Sequence, residues 1–296
     1  MVDAAVRRLA RDLGLGEPTV LGSGLEFMVH RTTTADHDLV LRSPLGPRFQ
    51  SNANDPNVDT RALLSWEYAV TGHLVRAGFP VATPHRLVLG EPDALVSEYV
   101  PDDGAGADPE LLGRLLRTLH RLPPPAHRPV ACDGLATARL IPHRIGHRWR
   151  ALRSLGIDLP ADPRLDGLAE LLDRPSAGSL LHLDVRAANL RAVDGRPLAL
   201  LDWSNALVGD PALDLGRLAE FARLPDNGLD HDAVLAGYGD RPSPDPVAGW
   251  AYRLDAAVML AVVFLSEAPD ETRGVQAADR LREVWHRYAH ERDRRH

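Results

Sequence analysis

Apolar and polar residues alternate within the first third of the chain, whereas most of the remainder has a helical period. The alternation in residues 18–42 predicts three short strands, because successive side chains of a strand point to opposite faces. Residues 3–15 and 61–78 predict two helices, and two more strands are expected near residues 85–90 and 94–100. The apolar face of the helix over 61–78 is expected to carry Leu64, Tyr68, Leu74 and Val75.

Helices are predicted for most of the chain beyond residue 109. Asp108 is a candidate N-cap and Pro109 suits the first helical position of the helix that follows them. Further helices are expected over residues 136–156 and 163–173. Residues 179–203 differ, because short apolar runs flank a turn at Asp194-Gly195, which predicts a loop, a strand, a turn and a strand. Residues 43–60 are rich in Pro, Asn and Asp and predict a loop.

Composition indicates a folded globular protein. The 296 residues are 44% hydrophobic and 25% charged, which are ordinary values for a chain with a core. One cysteine excludes a disulfide framework within the chain, and no secretory signal or apolar run of membrane-span length is evident. We therefore expect a cytoplasmic protein without membrane contact. A net charge of -7 argues against nucleic acid as a partner.

The chain contains no lysine at all. Its absence excludes every mechanism that requires a lysine, including the phosphate-binding loop that ends in Gly-Lys-Ser or Gly-Lys-Thr.

The richest chemical signal is the segment His182-Leu183-Asp184-Val185-Arg186-Ala187-Ala188-Asn189, followed after a predicted hairpin by Asp202. It places a carboxylate, a cation and an amide on one loop and a second carboxylate at the end of the hairpin. Phosphoryl transfer requires such groups. A carboxylate orients the attacking hydroxyl and accepts its proton, oxygen ligands hold Mg²⁺ against the phosphates, and a cation offsets their charge.

This pattern resembles the catalytic loop and the metal-binding aspartate of kinases. Trp203, Gly209-Asp210-Pro211 and Asp214-Leu215 resemble the aminoglycoside phosphotransferase family in particular, which includes choline- and homoserine-kinase-like enzymes. The resemblance implies Asp184 as catalytic base and Asn189 and Asp202 as Mg²⁺ ligands. It implies that Arg186 contacts the γ-phosphate and that Asp214 holds the catalytic loop through backbone hydrogen bonds.

The same resemblance extends to the N-terminal third. Gly22, Ser23 and Gly24 stand where kinases have a glycine-rich turn over the ATP phosphates, although Phe27 replaces the third glycine and an ordinary hairpin turn is the alternative. Arg42 ends a predicted strand and Glu67 lies on the next helix, where kinases pair a lysine with a glutamate. A guanidinium still offers a charged donor fork to phosphate and carboxylate. A surface ion pair is the alternative for Arg42 and Glu67.

Residues 97–100 resemble the kinase hinge. Adenine would then bind the backbone carbonyl of Glu98 and the backbone amide of Val100, and a plain edge strand is the alternative. The resemblance implies an α+β, bilobal protein-kinase-like fold. Residues 1–97 would form a sheet-rich N-lobe that covers the nucleotide, and residues 98–296 a larger, mainly helical C-lobe with the catalytic loop and the acceptor pocket.

The expected activity is an ATP- and Mg²⁺-dependent transfer of phosphate to an alcohol. Residues 203–213 are too few for the long activation segment of a protein kinase, which favours a small-molecule acceptor such as an aminoglycoside-like antibiotic or a metabolite. One alternative is a peptide Ser/Thr kinase of natural-product biosynthesis, for which the arginine-rich stretch 143–153 would be suited. Another is a pseudokinase that binds a nucleotide without turnover. The sequence does not assign any acid to a cationic acceptor; the candidates are Asp226, Asp230, Asp232, Asp255 and Glu267.

Overall fold

The computed structural model describes residues 4–127, 129–132, 134–173, 178–240 and 245–295. The described chain divides by its contacts into two compact units. The first comprises Met1–Ser51, Asn57–Ala107 and Asn189–Ser204, and the second comprises Asn52–Pro56, Asp108–Ala188 and Asn205–His296. This division differs from a single boundary after residue 97, because a distant hairpin makes its contacts within the first unit. The assignment of nucleotide and acceptor roles to the two parts stays a prediction.

The first unit is built on an antiparallel sheet. The unit's strands from the first third of the chain are β1 Thr19–Ser23, β2 Phe27–Thr33, β3 Asp38–Pro44, β4 Phe49–Gln50, β5 Val58–Asp59, β6 Pro84–Val88 and β7 Ala94–Glu98. Five of them form one sheet with strand order β1-β2-β3-β7-β6, and these predicted strands are confirmed. The sequence did not predict the short strands β4 and β5, which pair within the loop after β3.

Two helices accompany this sheet. Helix α1 spans Ala4–Asp12, so the predicted start at residue 3 lies outside the described residues. Helix α2 spans Thr60–Arg76, and the side chain of Asp59 caps it by accepting from two backbone N–H groups. The predicted apolar face is wrong in part, because Tyr68 and Val75 are exposed. The buried face keeps the predicted Leu64 and Leu74 and adds Glu67, Val70 and Thr71.

A hairpin from much later in the sequence completes the first unit. Strand β9, Leu190–Val193, pairs with β10, Arg196–Leu200, around a turn where Asp194 and Gly195 both have left-handed φ angles of 51° and 73°. The Leu200 N–H donates to the carbonyl of Pro80 at 3.1 Å. These contacts explain why the hairpin groups with the N-terminal sheet rather than with its neighbours in sequence.

Helices dominate the second unit. Three of them begin with Asp-Pro pairs, in which the aspartate accepts a backbone N–H and the proline occupies the first turn. The prediction of Asp108 and Pro109 as a helix start is confirmed. The helices are α3 Pro109–Arg121, α4 Thr137–Ser154, α5 Leu168–Leu172, α6 Pro211–Phe221, α7 His231–Tyr238, α8 Pro246–Val262 and α9 Glu271–Arg295.

The helix predicted over 163–173 is wrong in its first half. Arg164 and Gly167 have left-handed φ angles of 64° and 68°, so a right-handed helix begins only at Leu168. Strand β8, Ser179–Leu181, pairs antiparallel with β11, Leu207–Gly209, and leads directly into the predicted catalytic loop. The main core of this unit packs α4, α6, α8 and α9 together around Trp149, Leu213 and Tyr288.

Helix α8 continues into one π-helical turn, Val263–Glu267. Among the described residues, the stretch Pro246–Glu267 is the one helical segment long and apolar enough to cross a membrane by length and composition. The expectation that no apolar stretch reaches span length is therefore wrong for this segment. Because most of its apolar stretch is buried, the helix has the character of a core helix.

Candidate active site

The predicted catalytic loop belongs to the second unit and is held at its start by Asp214. The Asp214 carboxylate on α6 accepts the backbone N–H groups of His182 and Leu183, both at 2.8 Å. Leu183 has a left-handed φ of 63°, an uncommon conformation for this residue type. The imidazole Nδ1 of His182 accepts the N–H of Asp184 at 3.1 Å. Asp214 thus lies where it can hold a strained backbone next to Asp184.

Sequence reasoning missed His120, which contacts Asp214, and Tyr238, which contacts His120. His120, at the end of α3, lies with its ring nitrogens 3.1 Å from Asp214 Oδ2 and 2.9 Å from the hydroxyl of Tyr238 on α7. Burial alone opposes ionisation of Asp214, but the hydrogen bond from His120 and the charges of His120 and His182 lower its pKa below the usual value. Burial raises the pKa of Tyr238 to about 12. In the sequence, His120 and Tyr238 were recognisable only as polar side chains on apolar helix faces.

Asp184 and Arg186 form an ion pair with two contacts. Arg186 Nε lies 2.9 Å from Asp184 Oδ1, and an Arg186 Nη nitrogen donates to Asp184 Oδ2 at 3.0 Å. The Asp184 side chain is 13% exposed, whereas the Arg186 side chain is 42% exposed. The carboxylate therefore has a fixed place, while the guanidinium has room to turn toward an incoming anion.

Arg42 connects two acids within the first unit. One Nη nitrogen lies 2.9 and 2.7 Å from the two oxygens of Glu67, and the other donates to Asp202 Oδ1 at 2.9 Å. The guanidinium also lies 4.4 Å from the ring centre of Phe27. The Arg42 and Glu67 side chains are 13% and 9% exposed, so the surface-pair alternative is wrong. Contact with Asp202 was not anticipated from the sequence.

Burial and charge act in opposite directions on these groups. Burial by itself lowers the pKa of Arg42, but the carboxylates of Asp202 and Glu67 outweigh it and raise that pKa above the usual arginine value. Burial raises the pKa of Glu67, and Arg42 opposes this only in part. Arg42 is therefore permanently charged. Glu67 depends on Arg42 to remain ionised, because burial disfavours its charged form.

Asn189 and Asp202 lie at the two ends of the β9–β10 hairpin. The Leu201 N–H donates to the Asn189 carbonyl at 2.7 Å, which closes the open end of the hairpin next to both residues. Asp202 has a left-handed φ of 63°, and Ser204 Oγ donates to its Oδ1 at 2.8 Å. A carboxylate and an amide oxygen here suit Mg²⁺, which takes few protein ligands and completes its shell with phosphate and water. Within the described part of the chain, no three His, Cys, Asp or Glu side chains form a metal cluster.

The glycine-rich segment lies at the end of β1, where Gly22 and Ser23 still pair with β2 and Gly24 enters the connection to β2. Gly22, Ser23 and Gly24 are exposed, and the Gly24 N–H donates to the Phe27 carbonyl at 2.9 Å. A Cβ at Gly22 or Gly24 would meet no atom within 4 Å, so packing does not require glycine there. A role of this turn above phosphates stays a prediction.

The hinge-like segment follows the central sheet. Glu98 ends β7 and donates its N–H to Thr83, and Val100 lies two residues further on in irregular structure. Binding of adenine to these two backbone positions also stays a prediction.

The antiparallel sheet with its helix, the helical second unit and the loop anchored by Asp214 define a kinase-like phosphotransferase fold. A family model described as the phosphotransferase enzyme family, which corresponds to the predicted aminoglycoside phosphotransferase family, matches residues 17–250. The chain belongs to that family. The predicted α+β kinase-like fold and the predicted family are both confirmed.

Solved structures agree in fold at low sequence identity. A macrolide 2'-phosphotransferase type I is 21% identical with a TM-score of 0.59, over 95% of this chain and 98% of that one. A ternary complex of streptomycin, ATP and APH(2")-IIa is 16% identical with a TM-score of 0.61, over 97% and 99%. A choline/ethanolamine kinase family protein from Mesorhizobium loti is 16% identical with a TM-score of 0.61, over 93% and 92%. Comparison with curated proteins found no match.

Proposed function

We propose that this chain transfers the γ-phosphate of ATP to a hydroxyl group of a small molecule. The observation that carries the proposal is the Arg42 guanidinium, which joins Glu67 to Asp202. Kinase-like chemistry uses a cation at this place to hold the nucleotide phosphates. Here an arginine occupies it in a chain without lysine, and the bonds that orient it are already formed.

The proposed roles follow from the chemistry of each group. Asp184 would accept the proton of the attacking hydroxyl, and Arg186 would leave its ion pair with Asp184 to contact the γ-phosphate. Asn189 and Asp202 would hold Mg²⁺, which neutralises phosphate charge when bound. Arg42 would orient the phosphates while Glu67 fixes Arg42.

The acids of the second unit argue against a polycationic acceptor. Asp255, which is fully buried, lies 2.9 Å from Arg148 and 3.6 Å from Arg217. Burial lowers the pKa of Arg148 to about 10 despite the attraction of Asp255. This group therefore carries two guanidinium groups for one carboxylate and offers no negative charge to a ligand.

Three of the other candidate acids also have partners, although the Asp226 side chain is 60% exposed. Glu267 accepts from both the backbone and the side-chain amide of Asn54, at 2.8 and 2.6 Å. Asp226 lies 3.3 Å from Arg273, and Asp230 caps α7. Asp232 is the exception, with a side chain that is 99% exposed on the surface. We infer a neutral or anionic hydroxyl compound as acceptor rather than a polyamine-like antibiotic.

Two arginines of the arginine-rich stretch give the peptide alternative no specific support. Arg148 is buried against Asp255, and Arg144 donates to the Ala131 carbonyl at 2.6 Å, so both side chains serve internal contacts.

The test is incubation with ATP, Mg²⁺ and a panel of neutral, acidic and polycationic alcohols, read by the mass gain of one phosphate on the acceptor. Asp184→Asn should lower turnover by roughly 10²–10⁴, the usual contribution of a general base, with little change in ATP affinity. Asp232→Asn is the matched control at an exposed carboxylate and should turn over normally. A wild-type protein that binds ATP but phosphorylates none of the panel would support the pseudokinase alternative, and an unaffected Asp184→Asn variant would exclude Asp184 as the base.

A further inference from the structure

The catalytic loop is bound by a side chain at its far end as well as at its start. The backbone N–H of Ala187 donates to Oδ1 of Asn227 at 2.7 Å. Asn227 lies in the connection between α6 and α7, is 6% exposed, and donates its own backbone N–H to the Leu224 carbonyl at 3.0 Å. The acceptor oxygen therefore comes from a buried and internally bonded position.

This hydrogen bond matters because Ala187 lies at the start of a helical turn in the catalytic loop. Ala187 begins the 3₁₀ turn Ala187–Asn189, and the first N–H groups of a helical turn have no acceptor within the turn. An external oxygen at Ala187 therefore fixes where the turn starts. Asp184 and Arg186 lie between this anchor and the one that Asp214 makes, and Asn189 ends the turn.

Among the described residues, only the oxygen of the Asn227 side-chain amide makes a hydrogen bond. Its nitrogen Nδ2 is buried without a hydrogen-bond partner among the described residues. A buried donor in that condition is destabilising. The contact to Ala187 is made by the oxygen Oδ1 alone. An aspartate has nearly the same size and also carries an oxygen at this place, so it would keep the hydrogen bond to Ala187.

We propose that Asn227 is a positioning residue for phosphoryl transfer, acting through the Ala187 N–H on the loop that carries Asp184 and Arg186. This inference rests on the proposed function. It assigns to Asn227 no contact with either substrate. Loss of the anchor should lower kcat by about 10- to 100-fold, the effect of a small misplacement of a catalytic group, and should leave the KM for ATP within about twofold.

The experiment compares three variants that differ in the acceptor atom. Asn227→Leu keeps the number and branching of the side-chain heavy atoms but has no acceptor, Asn227→Ala lacks the acceptor and is small, and Asn227→Asp keeps the acceptor. Hydrogen exchange at the Ala187 amide, measured by NMR on the apo protein, should be at least about tenfold faster in the first two and near wild type in the third. Turnover is measured as MgATP hydrolysis, with water as the acceptor. It should be lowered in Asn227→Leu and Asn227→Ala and near wild type in Asn227→Asp.

Asp232→Leu is the control for an added leucine, because the Asp232 side chain is 99% exposed nearby in sequence. It should change neither exchange at Ala187 nor turnover. Unchanged exchange in both Asn227→Leu and Asn227→Ala would overturn the anchor, whatever the activity of the wild type. Faster exchange with unchanged kcat, or no recovery in Asn227→Asp, would overturn the positioning role. A wild-type chain that neither binds nor hydrolyses MgATP would contradict the proposed function, and the exchange result would then decide the anchor by itself.

Discussion

Arg42→Ala tests the network of the first unit most directly. The substitution removes two contacts to Glu67 and one to Asp202, and it leaves two carboxylates without their shared cation. Removing one partner of a buried ion pair costs about 3–5 kcal/mol, because the remaining charge stays buried. We expect that loss in the free energy of unfolding at pH 7.

The loss should depend on pH in a defined direction. Burial already raises the pKa of Glu67, and removal of Arg42 raises it further. Between the unfolded and folded pKa values the folded variant binds more protons than the unfolded chain, so its stability falls as the pH rises through that interval. The difference between Arg42→Ala and wild type should therefore be smaller at pH 5 than at pH 8.

Urea unfolding of the apo protein followed by tryptophan fluorescence measures this. Trp66 and Trp203 adjoin Glu67 and Asp202 in sequence and both are buried, so their emission reports on this unit. Arg48→Ala is the matched control. Arg48 makes a similar two-bond pair with Asp59, at 2.9 and 2.7 Å, but its side chain is 43% exposed. An exposed pair contributes about 0–1 kcal/mol.

A double substitution tests whether the residues act together. Arg42→Ala with Glu67→Gln removes the stranded buried charge, so its loss should be smaller than the sum of the two single losses by about 0.5–3 kcal/mol. Arg42→Lys should keep part of the activity, because the charge remains while the planar fork is lost. Additive losses, or a loss for Arg42→Ala no larger than for Arg48→Ala, would refute the reasoning.

Two further predictions concern the metal and the loop anchor. Asp202→Ala should abolish Mg²⁺-dependent ATP binding in calorimetry, because a carboxylate that would hold the metal is lost; binding by the variant that equals wild type both with and without Mg²⁺ would place the metal elsewhere. Asp214 has a lowered pKa in the folded state, so its stabilisation is present above its unfolded pKa near 3.8 and is lost as the pH falls through the folded value. Asp214→Asn should therefore flatten the acid limb of the stability–pH curve, and an unchanged limb would show that other carboxylates set it.

The sequence predicted what depends on spacing along the chain. The five strands of the main sheet in the first unit, the start of α3 at Asp108-Pro109 and the turn at Asp194-Gly195 each follow from local conformational preferences. The pairing of Arg42 with Glu67 was also predicted, because the resemblance to kinases placed one on a strand and the other on the next helix. The failures are local as well: left-handed backbone at Arg164 and Gly167, which no periodicity reveals, delays α5 to Leu168.

Only the tertiary structure decided which distant groups meet. Asn227 binds Ala187, His120 binds Asp214, and Arg42 reaches Asp202 across 160 positions of sequence. None of these partners is related by a helical or strand period, so a pattern cannot pair them. Buried polar groups require hydrogen-bonding partners, yet the sequence shows only that a polar residue lies on an apolar face. The identity of the partner is set by how the helices and the hairpin pack.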